Sequence, residues 1–382
     1  VGQATELQDI AELDDGTLYA VEGDKAHVFQ RSSDGLFYTI AGGARGHADG
    51  DLSEARFMGP YGLASGGDRL YIVDTRGQRL RVLLDDQIHT VAGDGRRGFK
   101  DGTGATARFA HPVDAVVMPS GAILVADKLN HAIRRVIVGD DPSTSVVQTV
   151  AGNGLPGLVN GPSDVAQFRW PVGVAVGPDD SIYVADQGNH AIRRIWPDGV
   201  VTTWVGGIYG YHSASRNAAR LGYIGRITSD SDGWLYITDR VVPGVLSIDP
   251  HGLVTPLTGT GIGSGTGNAD GSHYRFPEGI TVTAAGEVLV AECNCAIDRP
   301  ILLHGRMYVS QRFVCFYSNI FGHRTMEVLP FDAITAIEKK NTSLFVPNAI
   351  EISVRTEDGA KARHFFASFQ HRDTSVGVLR RL

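Results

Sequence analysis

Short runs of β-branched and aromatic residues, broken at close intervals by Gly, Pro, Asp or Asn, fill most of the chain. Apolar and polar positions alternate for a few residues and then meet a turn signal. That pattern belongs to short half-buried strands rather than to helices. The clearest stretch is GVAVGPDDSIYVADQGNHAIRRIWPDGVVTTWVG, four runs separated by Pro-Asp-Asp, Gln-Gly-Asn and Pro-Asp-Gly. Turn chemistry of this kind between β-branched runs predicts a meander of antiparallel strands.

The meander repeats. LYAVE ends at Glu22, LYIVD at Asp74, ILVAD at Asp127, IYVAD at Asp186, LYITD at Asp239 and VLVAE at Glu292, in steps of 52 to 59 residues. TIAG from Thr39 and TVAG from Thr90 and Thr149 keep the same period, followed by TWVG from Thr203 and a weaker PLTG from Pro256. An aromatic-x-x-Pro phrase recurs at Phe57, Phe109, Phe168 and Tyr274, and is replaced by Leu221 to Ile224 in one unit. A four-stranded unit repeated five or six times predicts a β-propeller, because one blade cannot bury both of its faces alone.

Two copies are close enough to name a family. ADKLNHAIRRV (Ala126–Val136) and ADQGNHAIRRI (Ala185–Ile195) resemble the NHL repeat, and RGQRLRVL (Arg76–Leu83) is a degenerate copy. The resemblance covers about residues 4–292 and implies a propeller, often six-bladed. Asp74, Asp127, Asp186 and Asp239 stand where a strand leaves for its turn, placed to accept N–H groups from the loop that follows. His131 and His190 occupy equivalent places in successive units, which points to packing or hydrogen bonding rather than to metal ligands or bases. The match of Gly93–Gly98 to a dinucleotide fingerprint lacks the βαβ context that motif needs. The same Gly-rich pattern near Gly42 and Gly152 marks it as an inter-blade loop. Asp230 to Gly233 lacks the spacing and terminal Glu of a calcium loop.

Past Asp298 the period stops. Irregular β-rich runs follow, and the last residues read as a helix with Asp373 near its N-terminus and Val376 and Leu379 on its buried stripe. ILLHGRMYVSQRFVCFYSNIFG, IEKKNT, VPNAIEI and FFASFQHRD are similar to the GRAM domain, most of all to its version in sterol-transfer proteins of membrane contact sites. That resemblance covers about residues 287–382. It implies a pleckstrin-homology-like, partly open β-barrel with a C-terminal helix, which binds anionic lipid head groups on cytosolic membrane faces. The expected fold is therefore all-β: a propeller over 1–286, its last blade incomplete, and a GRAM domain over 287–382. The strand at 287–297 is claimed by both. It could be shared end to end, belong to one domain, or mark a splice or gene-model artefact. The C-terminal domain has the stronger claim on Val288–Ile297, because its sheet cannot close without a first strand.

Charge divides along the same line. Residues 1–292 hold 23 Lys/Arg and 34 Asp/Glu, a net of −11; the remainder hold 12 and 8, a net of +4. By the GRAM resemblance, Lys339, Lys340 and Arg372 carry the head-group contacts, with His371 and Arg324 as outer contributors. Thr374 stands where those relatives often have a second basic residue. Four cations at about 1 kcal/mol each give roughly millimolar, salt-sensitive binding. Cys293, Cys295 and Cys315 are too few for a disulfide framework and fit a reducing compartment. Cys293-Asn294-Cys295 has no second pair for zinc, so no metal or cofactor is predicted. No apolar run approaches the roughly 18 residues of a membrane span. No basic, apolar leader opens the chain, and its start at Val1 rather than Met suggests a fragment.

The expected function is a non-enzymatic adaptor, cytoplasmic and peripheral on the cytosolic face of a membrane. The GRAM domain would dock on phosphatidylserine or a phosphoinositide while the propeller holds a protein partner. A metal-dependent lyase or hydrolase is the alternative from the enzyme class, and RNA binding on a basic face is a third. The chain has no H-x-x-x-H or G-x-S-x-G arrangement, and a −11 propeller opposes a phosphate footprint.

Overall fold

The computed structural model describes residues 7–32, 37–139, 141–239, 244–256 and 279–283, and beyond them eight strands between Val288 and Ala367. Five four-stranded antiparallel blades are present. Their innermost strands are Asp9–Glu12, Pro60–Gly66, Pro112–Val117, Pro171–Val176 and Ile224–Ser229. In blades two to four the preceding loop adds a short fifth strand to the outer edge, at Gly50–Asp51, Gly102–Thr103 and Gly161–Pro162. The alternation of the sequence explains the core: Leu70, Ile72, Ile123, Val125, Val184 and Ile192 are fully buried between neighbouring sheets.

The inner strands pack side by side in order, and a sixth, Ile280–Val282, lies against both blade five and blade one. It closes the ring, and among the described residues one further strand, Val288–Val290, pairs with it. The approach is tight: a Cβ on Gly279 would sit 2.9 Å from Cα of Asp9. Glycine is what allows this strand to enter the ring.

The C-terminal strands form a seven-stranded antiparallel meander, running from His323–Pro330 at one end to Ile334–Lys340 at the other. Asn294–Ile297 joins its halves by pairing with both Leu303–Val309 and Lys361–Ala367. The all-β character expected of this region is present; among the described residues its two end strands are not paired with each other. The contested segment is divided by its pairing: Val288–Val290 adds to the propeller strand Ile280–Val282, and Asn294–Ile297 serves the second sheet. A single pair, Val290 with Val309, links the two. The expected closing helix lies outside the described residues.

Three of the largest fully buried side chains are not apolar. Arg81, Arg134 and Arg193 sit at the same place in blades two, three and four. Arg134 donates from Nη1 to Asp127 Oδ2 at 2.8 Å and to Arg108 O at 3.0 Å. Its Nη2 reaches Lys100 O at 3.0 Å and Asp101 Oδ1 at 2.5 Å. Arg193 repeats the set with Asp186, Gln167 O, Val159 O and Asn160 at 2.8–3.0 Å. Arg81 binds Arg56 O, Ala48 O and Asp49, and its Asp74 contact is longer at 3.9 Å. Each guanidinium lies over the Phe of the aromatic-x-x-Pro phrase, 5.2–5.4 Å from the centroid of Phe57, Phe109 or Phe168. The arginine thus pins the Gly-rich inter-blade loop to its own blade.

The aspartates face the same loop. Asp74 accepts from Gly59 N–H at 2.8 Å, Asp127 from Ala110 at 2.7 Å, Asp186 from Arg169 at 2.7 Å and Asp239 from Gly222 at 2.7 Å. These donors lie in the loop that precedes each blade, not in the turn that follows the aspartate. A carboxylate at the end of the second strand points at the start of the first, since the two are antiparallel neighbours.

Removing one member of such a buried pair leaves an uncompensated charge, at a cost of about 3–5 kcal/mol. Arg134→Ala is expected to lower stability by that amount. Arg135→Ala, at the exposed neighbouring position, is expected to change it by less than about 0.5 kcal/mol. Urea unfolding followed by Trp fluorescence checks this, because all four Trp lie in the propeller; equal effects would contradict the clamp.

Candidate functional site

Strand direction gives the ring two faces. The inter-blade loops and the turns between second and third strands lie at one end of every sheet, hereafter the loop face. The hairpin turns lie at the other, the turn face. His131 and His190 belong to the loop face. Each holds a left-handed backbone, φ +53°, at the end of a single 3₁₀ turn. Their side chains reach the next blade: Trp170 N–H donates to His131 Nδ1 at 3.2 Å, and His190 Nδ1 lies 2.7 Å from Gly222 O. In blade two Gln78 takes the same place, accepting from His111 N–H at 2.6 Å. These residues stitch blade to blade. Among the described residues no group of three or more His, Cys, Asp or Glu side chains is arranged to hold a metal.

The most unusual site is on the propeller axis. A cavity of about 510 Å³, lined by all six inner strands, runs from the turn face, where Met118, Pro178 and Ser229 lie, to a floor of three charged residues. The floor is Asp9, Asp114 and Arg226, all at least 95% buried. They occupy one column of the repeat, in blades one, three and five. Gly62, Gly173 and Gly279 fill that column in the alternate positions. The glycines make room: a Cβ on Gly62 would lie 2.6 Å from Val113 O and 3.3 Å from Arg226 Nη1. Arg226 crosses the axis, donating to Asp114 Oδ1 and, at 2.6 Å, to Tyr61 O. Its Nη2 lies 3.7 Å from Asp9 Oδ2. Asp9 also accepts from Leu63 N–H at 2.8 Å, and Asp114 from Val174 N–H at 2.9 Å. With its hydrogen-bonding positions engaged, the triad acts as a plug that ties five blades across the channel. Its carboxylates are not presented to the cavity as free bases. Burial pushes the Asp114 carboxyl up to about 7 despite the opposing pull of Arg226, and the Asp9 carboxylate adds to the rise. Sequence reading missed this triad, although Asp114 visibly breaks a Pro-x-Gly column.

The lipid-site residues are placed only in part. Lys339 and Lys340 end the strand Ile334–Lys340, opposite Ile350 and Ala349. Arg324 stands opposite Asn319 on His323–Pro330, at the other end of the sheet path. His371 and Arg372 lie outside the described residues. No helix among the described residues is long and apolar enough to cross a membrane.

Asp114 yields a pH test. Its folded pKa is about 7 against an ordinary 3.8, so the folded state keeps a proton that the unfolded chain releases. Its contribution to stability therefore falls as pH rises from about 4 to about 7. Asp127 and Asp186, raised by burial to about 6, act in the same direction. The propeller unfolding midpoint is expected to drop across this window, and Asp114→Asn to make the drop shallower without abolishing it. An unchanged slope in the variant would contradict the assignment.

Comparison with known proteins agrees with this two-part architecture. The family model of the GRAM domain matches residues 274–382, and that of the NHL repeat matches residues 168–195, the heart of blade four. Protein VASCULAR ASSOCIATED DEATH 1, chloroplastic, of Arabidopsis thaliana is 45% identical over 95 residues, 25% of this chain and 15% of the relative. Protein Aster-A of Homo sapiens is 40% identical over 96 residues, 25% of this chain and 13% of the relative. The chain thus matches less than a sixth of these relatives' length. Among solved structures, a Bacteroides thetaiotaomicron protein of unknown function aligns with TM-score 0.54 at 17% identity, over 77% of this chain and 68% of that one. A gluconolactonase of Xanthomonas campestris aligns with TM-score 0.50 at 19% identity, over 76% and 84%. At such identities the likeness concerns the fold alone, but it corrects one expectation. The propeller was read as non-enzymatic, and its fold is shared with an enzyme, so that exclusion does not stand. What the matches and the strand pairing establish together is that this chain joins an NHL-type β-propeller to a GRAM domain.

Proposed function

We propose that the chain is a membrane-docking adaptor. Its GRAM domain engages anionic lipid on the cytosolic face of a membrane, and its propeller is a platform for a protein partner. The reading is carried by one observation: residues 293–382, within the stretch matched to the GRAM family, carry a net charge of +4, while residues 1–292 carry −11. An anionic bilayer attracts the first and repels the second, so the propeller is held away from the membrane with its faces available. The two units divide near residue 287, with the segment through 297 serving both. Lys339, Lys340 and Arg372 are the head-group contacts in this proposal, supported by His371 and Arg324. Four or five such cations give weak binding that falls with salt, and a partner on the propeller raises avidity.

Co-sedimentation of the full chain with liposomes of stated phosphatidylserine or phosphoinositide content tests this. Pelleting is expected to grow with anionic lipid and fall with salt. Replacing Lys339, Lys340 and Arg372 by Ala is expected to weaken it roughly a hundredfold, at about 1 kcal/mol per cation. Pelleting that ignores head-group charge, or a triple variant that behaves as wild type, would overturn the lipid site.

A further inference from the structure

We infer that the loop face of blades two to five docks an acidic, extended peptide segment with apolar anchors, supplied by a partner protein. The inference rests on the platform reading above and adds the face and the chemistry of the partner.

The charge of the propeller is sorted between its faces. The hairpin turns expose Asp14, Asp15, Asp68, Asp85, Asp180 and Asp198, among others, with Arg69 and Arg216 as basic residues near them. The loop tips carry the opposite character. At equivalent positions they present Arg45, then Arg96 and Arg97, then Leu155 and Pro156, then Ile208 and Tyr209, all exposed. A −11 propeller therefore has one face that repels an acidic partner and one that receives it.

The apolar half of the loop face is continuous. Leu155 is 59% exposed, Ile208 54%, Tyr209 52%, Tyr223 51% and Trp170 44%. Phe99 comes within 3.1 Å of the point a Cβ on Gly154 would occupy, so the loop bearing Arg96 and Arg97 touches the loop bearing Leu155. Leu158 in turn reaches the loop of Ile208, 4.0 Å from the equivalent point on Gly207. Tyr209, Tyr223 and His190 pack edge-on at 4.9–5.7 Å, forming a fixed knob with two exposed tyrosines. Large exposed apolar clusters on soluble domains mark interaction sites. Exposed Tyr and Trp beside Arg is the composition of binding hot spots.

Two features favour a peptide over single-stranded nucleic acid. The tyrosine rings face each other edge-on rather than standing as a series of platforms for successive bases. Leu155, Leu158 and Ile208 are aliphatic and suit side-chain anchors. The clamps by Arg134 and Arg193 hold the loops in place, so little ordering cost falls on binding.

Panning a display library of random peptides against the full chain tests the inference. Bound peptides are then titrated by fluorescence anisotropy, with oligouridine as a second probe. Enrichment of peptides joining Asp or Glu to Leu, Ile or aromatic residues is expected. Arg96→Glu with Arg97→Glu, Tyr209→Ala and Leu155→Ser should each weaken them at least about tenfold. All these positions are exposed, and unchanged unfolding midpoints will show that the variants fold. Enriched peptides that bind the variants as well as wild type would place the platform elsewhere and overturn this face alone. No enrichment would overturn the platform reading as well. Enrichment of basic peptides, or tighter binding of oligouridine lost in the same variants, would overturn the partner's chemistry.

Discussion

A guanidinium buried without water needs acceptors for its N–H groups, and in this propeller that need organises the blades. Arg81, Arg134 and Arg193 are enclosed between a strand and a glycine-rich loop that has no regular structure of its own beyond a two-residue strand. Loop carbonyls, a loop Asp or Asn, and the blade's Asp meet the charge, while a Phe from the same loop covers it. The interaction is self-consistent. The loop carries buried carbonyls that require donors, and the arginine carries donors that require carbonyls. The glycines permit the loop's bends: Gly93 and Gly152 have φ of +104° and +101°, and a Cβ on either would collide with backbone.

Clamping within a blade does not by itself close a ring. Closure is the work of the axis, where residues far apart in sequence meet. Asp9, Asp114 and Arg226 join blades one, three and five, and their partners Leu63, Tyr61 and Val174 bring in blades two and four. The sixth position is filled by Ile280–Val282, which completes the circle and pairs, among the described residues, with Val288–Val290. The first strand of blade one and the last inner strand must both be seated for this. Circular closure therefore depends on contacts of very long sequence separation, which form late in folding. The partner strand Val288–Val290 is followed in sequence, after three residues, by Asn294–Ile297, which pairs in the second sheet.

Much of this was legible in the sequence. The six repeated strand phrases, the Asn-His signatures and the change of pattern past Asp298 placed every blade and the second domain, because short strands at a fixed period leave a strong local signal. The direction of the aspartate bonds was not legible. It depends on strand register, and the donors Ala110 and Arg169 lie 17 residues before the acceptors. Arg134 and Arg135 are adjacent and chemically alike, and only the pleat decides that one is buried and the other exposed. The axial triad is a column across blades, visible only once Asp9, Gly62, Asp114, Gly173, Arg226 and Gly279 are read together. The division of 287–297 was open on sequence because the same β-rich run satisfies either sheet.

If the clamps hold the loops, the loop amides bonded to the blade aspartates cannot open without breaking a buried charge cluster. Amide hydrogen exchange at Gly59, Ala110 and Arg169, in front of the three arginine-bearing blades, tests this most directly. Protection matching that of the central strands Arg69–Asp74 and Ile123–Asp127 is the expected result, with the tip amides of Arg97 and Tyr209 exchanging fast. Fast exchange at the three clamped amides while those strands stay protected would show that the loops move independently of the blades, and would contradict the account.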